Sequence, residues 1–183
     1  ALQAAAAHLP LPAGAPVQAA CLEFIGERLR NLLLDEGRRY DVVDAVLAEQ
    51  AHNPARAAQA VAELGEWVQR PDWHTILPAY ARCVRITRSM PERYLVEESR
   101  FVEDEEVELY AALGVAERAA RRAGSVGDLL VNFIPMIPVI NRFFDEVLVM
   151  TEEQSVRQNR LGLLQRIAAL AEGVADFSRL EGF

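Results

Sequence analysis

"NRFFDEVLVMTEEQSVRQNRLGLLQRI", Asn141 to Ile167, carries the pattern on which the fold turns. Val156, Leu163 and Ile167, continued by Leu170 and Val174, recur at helical steps and define the buried stripe of an amphipathic helix. The position that completes the stripe is Arg160. An unpaired buried charge is very costly, so an arginine on that face demands an acidic partner. Asp145, just before the turn into this helix, is the nearest candidate, with Glu152 and Asp176 as others. Arg160 is therefore expected to clamp the last two helices. Thr151 with Gln154 three residues on resembles a capping box, which predicts a last helix running to about Ala175.

Working outward, helical patterns cover most of the chain. Val17, Cys21, Phe24, Ile25, Leu29 and Leu32 share a face over residues 17 to 35. Asp41 and Asn53 are expected as N-caps, the latter followed by Pro54 at a first helical position. Another helix is expected from Asp72, with Pro78 far enough inside to kink or restart it. After Pro91, acids in a first turn and Arg118, Arg121 and Arg122 in a last turn suit a helix dipole, with Gly124 as C-cap. Pro135 and Pro138 divide two shorter helices. No segment alternates with period two. The expectation is an all-α bundle of about seven to eight helices over residues 17–183, preceded by a flexible Ala- and Pro-rich linker over residues 1–16.

Composition removes several functions. All 19 basic residues are arginine, so a P-loop lysine, a Schiff-base lysine and a lysine general base are excluded. The net charge of −8 is lopsided, because Glu97 to Glu108 hold seven acids and one arginine. The remainder, with 20 acids against 18 arginines, is nearly neutral and leaves room for an anionic partner. Cys21 and Cys83 lack any CxxC framework and read as small core residues. His8, His52 and His74 form no HExxH or other ligand spacing, so no metal site is expected. Apolar runs meet Pro, Asn or charge before the ~18–20 residues of a membrane span, so the protein is expected to be soluble and cytoplasmic. No catalytic constellation is present in the motifs.

What does recur is arginine at helical spacing. Arg82, Arg85 and Arg88 in "YARCVRITR" step by three along one side of a helix, a turn after Tyr80. Such a stripe can hold phosphates, and an aromatic beside it can stack an unpaired base. The alternative is a solvated face neutralised by the Glu97–Glu108 segment. Arg157 and Arg160 also step by three, with Asn159 between them.

"FIGERLRNLLLDEGRRYDVVDAVLA" (Phe24 to Ala48), "YARCVRITR" and "FFDEVLVMTEEQSVRQNRLGLLQRIAALAEGVADFSRLEGF" (Phe143 to Phe183) resemble the C-terminal part of the β subunit of bacterial glycyl-tRNA synthetase, a two-part enzyme sometimes fused into one chain. The final block is similar to the helical anticodon-binding module shared with arginyl-tRNA synthetase and nicknamed for an Asp-Ala-Leu-Arg run. Here the run reads Gln154, Ser155, Val156, Arg157, keeping only the arginine. Asn159, Arg160, Leu161 and Leu164 continue the pattern.

The resemblance implies a non-catalytic domain that meets the anticodon stem-loop of glycine tRNA. It implies the rest of the β chain and the α subunit or α part as protein partners, and neither DNA nor a membrane. No cofactor is implied for this domain, whereas ATP and magnesium are implied for the complete enzyme. Glycine codons begin with two G, so the second and third anticodon letters are C. Reading cytosine requires an acceptor for its exocyclic amine and donors for its ring nitrogen and carbonyl, which Asp, Glu, Asn and Arg supply. The expected tRNA-facing residues are Arg82, Arg85, Arg88, Arg157 and Asn159, with Asp145 and Arg160 as the structural clamp. Two other readings remain: a helical protein-docking module, and an arginyl-type anticodon domain.

Overall fold

Asn53 and Pro54 start a helix as their types predict: the Asn53 side chain accepts from the Arg56 N–H at 3.3 Å, and Pro54 fills the first position. That helix is one of a set in a computed structural model that describes residues 2–8 and 14–183. In chain order the helices are α1 (Leu2–Ala6), α2 (Ala15–Asp35), α3 (Tyr40–Gln50), α4 (Pro54–Trp67), α5 (Trp73–Thr87), α6 (Asp104–Arg118), α7 (Val126–Phe133), α8 (Ile137–Glu146) and α9 (Gln154–Ala169). Short 3₁₀ turns lie at Glu98–Arg100, Ile134–Met136 and Phe177–Arg179. Eight of the helices have eight residues or more, and no strand occurs among the described residues. The expected linker falls partly on Ala1 and residues 9–13, which lie outside the described residues. The rest of it contains α1 and the first two residues of α2, which opens at Ala15.

The core is built where apolar stripes meet. α9 lies along α5, α6 packs on α8 and α9, α4 packs on α3 and α7, and α2 leans on α3. Leu64, Ile76, Leu113, Leu130, Ile140, Phe143, Leu163 and Ile167 are almost wholly buried. Each such side chain contributes about 1.5–3 kcal/mol relative to exposure. By length and composition alone, Val126–Glu146 would suffice to cross a membrane. Here it is a core element whose Leu129, Leu130, Phe133, Met136, Ile140 and Phe143 are buried in the bundle.

Several local expectations change. Asp41 is not an N-cap. The cap position is Arg39, two residues earlier, and the buried Asp41 carboxylate takes a forked bond from Arg39 and accepts the Val42 and Glu181 N–H groups, tying the end of the chain to α3. Pro78 does not restart α5. The carbonyl it leaves without a partner belongs to exposed His74, where water can reach it, so the helix runs on to Thr87. α6 ends at Arg118 rather than near Gly124, so Arg121 and Arg122 lie in the following loop, bonded to the Leu170 carbonyl and to Asp128. Gly124, at φ +74°, closes that loop; a side chain there would collide with Gln50 and Arg56. α9 begins at Gln154 and ends at Ala169, so Thr151 is not its cap. The chain then turns, still burying Val174 and Ala175. Cys83 is a core residue, its thiol pushed up to about 12 by burial, but Cys21 is exposed.

Candidate nucleic-acid interface

α5 buries Ile76, Leu77, Ala79, Tyr80, Ala81, Cys83 and Thr87, and Arg82, Arg85 and Arg88 are among the positions left over on its other side. Arg85 and Arg88 are exposed, and Arg82 is half-buried beside them. Two of these guanidinium groups rest on aromatic rings brought from distant parts of the chain. Arg82 lies over Phe144 of α8 at 4.3 Å, and Arg85 over Phe183 at 5.4 Å. Such contacts support a guanidinium without neutralising it. Among the described residues, neither Arg85 nor Arg88 has a carboxylate partner. Arg88 also borders a groove of about 310 Å³ between α5 and α9, which Val84, Met90, Arg93 and Gln165 help to line.

Tyr80 is not the aromatic of this stripe. It is 8% exposed, donates its hydroxyl to the Ala168 carbonyl at 2.7 Å, and meets Phe133 and Phe177 edge-on. Burial pushes its hydroxyl pKa up, so it stays neutral. No base can stack on it. The 4-3-4 spacing with Ile76, Cys83 and Thr87 was the available signal. The rings beside the stripe are those of Phe144 and Phe183, under Arg82 and Arg85, and only tertiary packing places them there.

The acidic segment does not neutralise the stripe either. Glu106 is buried on Arg160, Glu108 pairs with Arg142, and Glu97 pairs with Arg100, its own neighbour at three residues. Among the described residues no acid of this segment forms an ion pair with Arg82, Arg85 or Arg88.

On α9 the expected site residues divide. Arg157 is half-exposed, lacks a carboxylate partner among the described residues and donates to the Thr151 carbonyl at 3.1 Å. Asn159 is 1% exposed, so it cannot face a partner molecule. Its amide grips a peptide of this same chain, accepting from the Glu97 N–H at 2.7 Å and donating to the Glu97 carbonyl at 3.1 Å. Arg160 is buried and paired, but Asp145 is not its partner. Its Nε and Nη2 donate to both Glu106 oxygens at 3.1 and 3.0 Å, and Nη1 donates to the Leu148 carbonyl. The link therefore runs from α9 to α6 and to the turn after α8. Asp145 instead faces Arg82, with Oδ1 3.9 Å from Nη2. Glu152 has no part in the pair, and Asp176 accepts from Ser178 and Arg179.

Among the described residues there is no group of three or more side chains suited to holding a metal ion. The arrangement offers guanidinium groups without a carboxylate partner among the described residues at Arg85, Arg88 and Arg157, Arg88 bordering a groove, which is chemistry for holding phosphates and unpaired bases.

Comparison with known proteins adds an independent line. Residues 76–175, more than half of the chain, match the DALR anticodon binding domain. Arg82, Arg85, Arg88, Asp145 and Arg157 all fall within that span. Over 167 residues, the chain is 35% identical to the glycine-tRNA ligase beta subunit of Moorella thermoacetica, a match covering 90% of the chain and 24% of the relative. A similar match, 34% identical over 163 residues, covers 88% of the chain and 15% of the chloroplastic/mitochondrial glycine-tRNA ligase 2 of Arabidopsis thaliana. The beta subunit from Clostridioides difficile is 29% identical over 162 residues, covering 87% of the chain and 23% of the relative. The chain spans about a quarter, or less, of the length of these relatives.

Proposed function

This chain belongs to the DALR anticodon binding domain family, and on that premise we propose that it is the non-catalytic, tRNA-binding part of a glycine-tRNA ligase β chain. It meets the anticodon stem-loop of glycine tRNA through α5 and the start of α9. The observation that carries this reading is the α5 stripe: Arg85 and Arg88 are exposed without a carboxylate partner among the described residues, next to Arg82, with the rings of Phe144 and Phe183 against Arg82 and Arg85. Glycine rather than arginine tRNA is favoured by the names of the relatives. Activation of glycine, with ATP and magnesium, belongs to the α part of the complete, cytoplasmic enzyme.

Contact with the rest of the enzyme is a compatible second role. Val17, Cys21, Phe24 and Leu32 of α2 expose an apolar face, away from the arginines of α5 in sequence and in packing.

The test is fluorescence anisotropy of the chain against a glycine-tRNA anticodon stem-loop and against one with both anticodon C letters changed, each at two salt concentrations. Binding should weaken with salt and with the changed letters. Phosphate contacts release counterions, so Arg85→Ala combined with Arg88→Ala should flatten the salt dependence by roughly one unit of log–log slope for each phosphate no longer held. Affinity should fall about tenfold or more without loss of helix content. Arg157→Ala should weaken binding likewise while the domain stays folded. Binding that ignores both salt and letters, or no binding even to whole glycine tRNA, would favour a protein-docking module.

A further inference from the structure

Most arginine–carboxylate pairs on this surface are closed. Arg30–Asp44, Arg39–Asp41, Arg70–Asp72 and Arg122–Asp128 meet at 2.6–2.7 Å. Arg82 and Asp145 stand 3.9 Å apart, and among the described residues neither side chain makes a hydrogen bond. Arg82 lies over the half-buried ring of Phe144, the residue just before Asp145 in the last turn of α8, so a ring and the next residue's carboxylate border the same guanidinium. Both side chains remain accessible, 40% for Arg82 and 67% for Asp145. A donor and an acceptor thus sit side by side, unengaged, on an aromatic support.

That juxtaposition has a chemical complement. The pairing edge of cytosine offers an amine donor, then a ring-nitrogen acceptor, then a carbonyl acceptor. A carboxylate beside a forked guanidinium offers an acceptor, then two donors, which is the order on the guanine edge that pairs with cytosine. Uracil reverses the first two positions, placing its carbonyl against the carboxylate and its N–H against the guanidinium. We propose that Arg82 and Asp145, supported by Phe144, read one unpaired cytosine of the bound RNA by its pairing edge, with Asp145 as the determinant against uracil. This rests on the anticodon-binding reading above and assigns the selectivity of that surface to particular atoms. Asp145 accepts the exocyclic amine, Arg82 donates to the ring nitrogen and carbonyl, and the Phe144 ring supports the guanidinium.

The experiment measures the cytosine-over-uracil preference at each of the two anticodon letters separately, using stem-loops with one C→U change at a time. Wild-type chain should prefer cytosine at one letter through this pair by roughly ten- to a hundredfold, the range of a good two-bond base contact. In Asp145→Asn, the amide can turn its N–H₂ toward the uracil carbonyl. Preference at that letter should fall to within a few-fold of unity, while preference at the other letter is kept. Removing a negative charge raises RNA affinity in general, so the ratio and not the affinity is the readout. Arg82→Lys, which keeps the charge but not the fork, should lose the same preference at nearly unchanged salt slope. Full preference at both letters in both variants would overturn the proposal while leaving anticodon binding intact. Wild-type chain that binds neither stem-loop, or binds cytosine and uracil alike, would overturn the underlying reading and this one with it.

Discussion

Replacing Arg160 with Leu is expected to destabilise the domain by about 3–5 kcal/mol, although leucine is the residue type that the apolar stripe of α9 calls for. The loss comes from what is left behind. Glu106 has no exposed side-chain surface and Arg160 only 5%, and the two meet through a two-pronged contact. Glu106 also accepts the Val102 and Glu103 N–H groups at 2.9 Å each, closing the start of α6. The leucine variant would strand a buried carboxylate and free the Leu148 carbonyl. Adding Glu106→Gln should restore more than half of the loss, because the neutral amide still accepts both backbone N–H groups without a charge to bury. Urea denaturation of both variants checks this. An unchanged midpoint for Arg160→Leu would remove the clamp from the account.

The same pair predicts a pH dependence. Burial pushes the Glu106 carboxyl up, but the Arg160 guanidinium and the two N–H groups outweigh it and hold the group below its ordinary value of 4.5. A carboxyl depressed in the folded state contributes stability that is fully present above about pH 4.5 and is lost as pH falls through the lower, folded value. In Arg160→Leu the sign reverses at this site, since the stranded carboxylate gains from a proton. The stability gap between wild type and variant should therefore narrow between about pH 7 and pH 4. Asp41 and Asp176, also depressed, titrate in both proteins and cancel from the difference.

Arg160 also illustrates what periodicity reveals and what it leaves hidden. The stripe through Val156, Leu163 and Ile167 marks the buried face of α9, and the misfit on that face demands an acid. Periodicity does not say which one, because Glu106 lies 54 residues away inside a run of acids that looks like a solvated surface. Asn53 with Pro54 is legible because capping is local; Thr151 misleads because Glu153 precedes α9 in extended conformation instead. The outward stripe of α5 is legible from spacing alone. Its aromatic supports are not, since Phe144 and Phe183 reach it only through the packing of α8 and of the last residues on α5. Asn159 looks like a base-reading amide for a related reason: its true partner is a peptide 62 residues away in a segment without periodicity.

That segment sets the second large expectation. Residues 92–97 run along α9 as an extended strap, held at both ends by amide side chains. Gln165 donates to the Glu92 carbonyl at 2.8 Å and accepts the Tyr94 N–H at 2.9 Å, while Asn159 holds both polar groups of Glu97. Between them, three residues from each, is Gly162. A Cβ there would stand 2.9 Å from the Tyr94 carbonyl and 3.1 Å from the Val96 side chain. Mid-helix glycine is itself a liability of about 0.5–1 kcal/mol against alanine, so Gly162→Ala would stabilise an isolated α9. In the folded domain the strap cannot yield, because its carbonyl is backbone and its two flanks are pinned. The expected net loss is about 1–3 kcal/mol for Gly162→Ala and more for Gly162→Val, whose branched side chain adds to the overlap. Hydrogen exchange locates the damage. The Tyr94 and Glu97 amides should lose protection in Gly162→Ala well before the amides of α4, distant from the strap. The strap leads through the 3₁₀ turn at Glu98–Arg100 to Val102 and Glu103, whose N–H groups sit on Glu106, so its displacement should also loosen the Arg160 pair. The destabilisations from Gly162→Ala and Arg160→Leu should then combine to less than their sum. A higher melting temperature for Gly162→Ala would mean that the strap moves aside freely, and full additivity would separate it from the clamp.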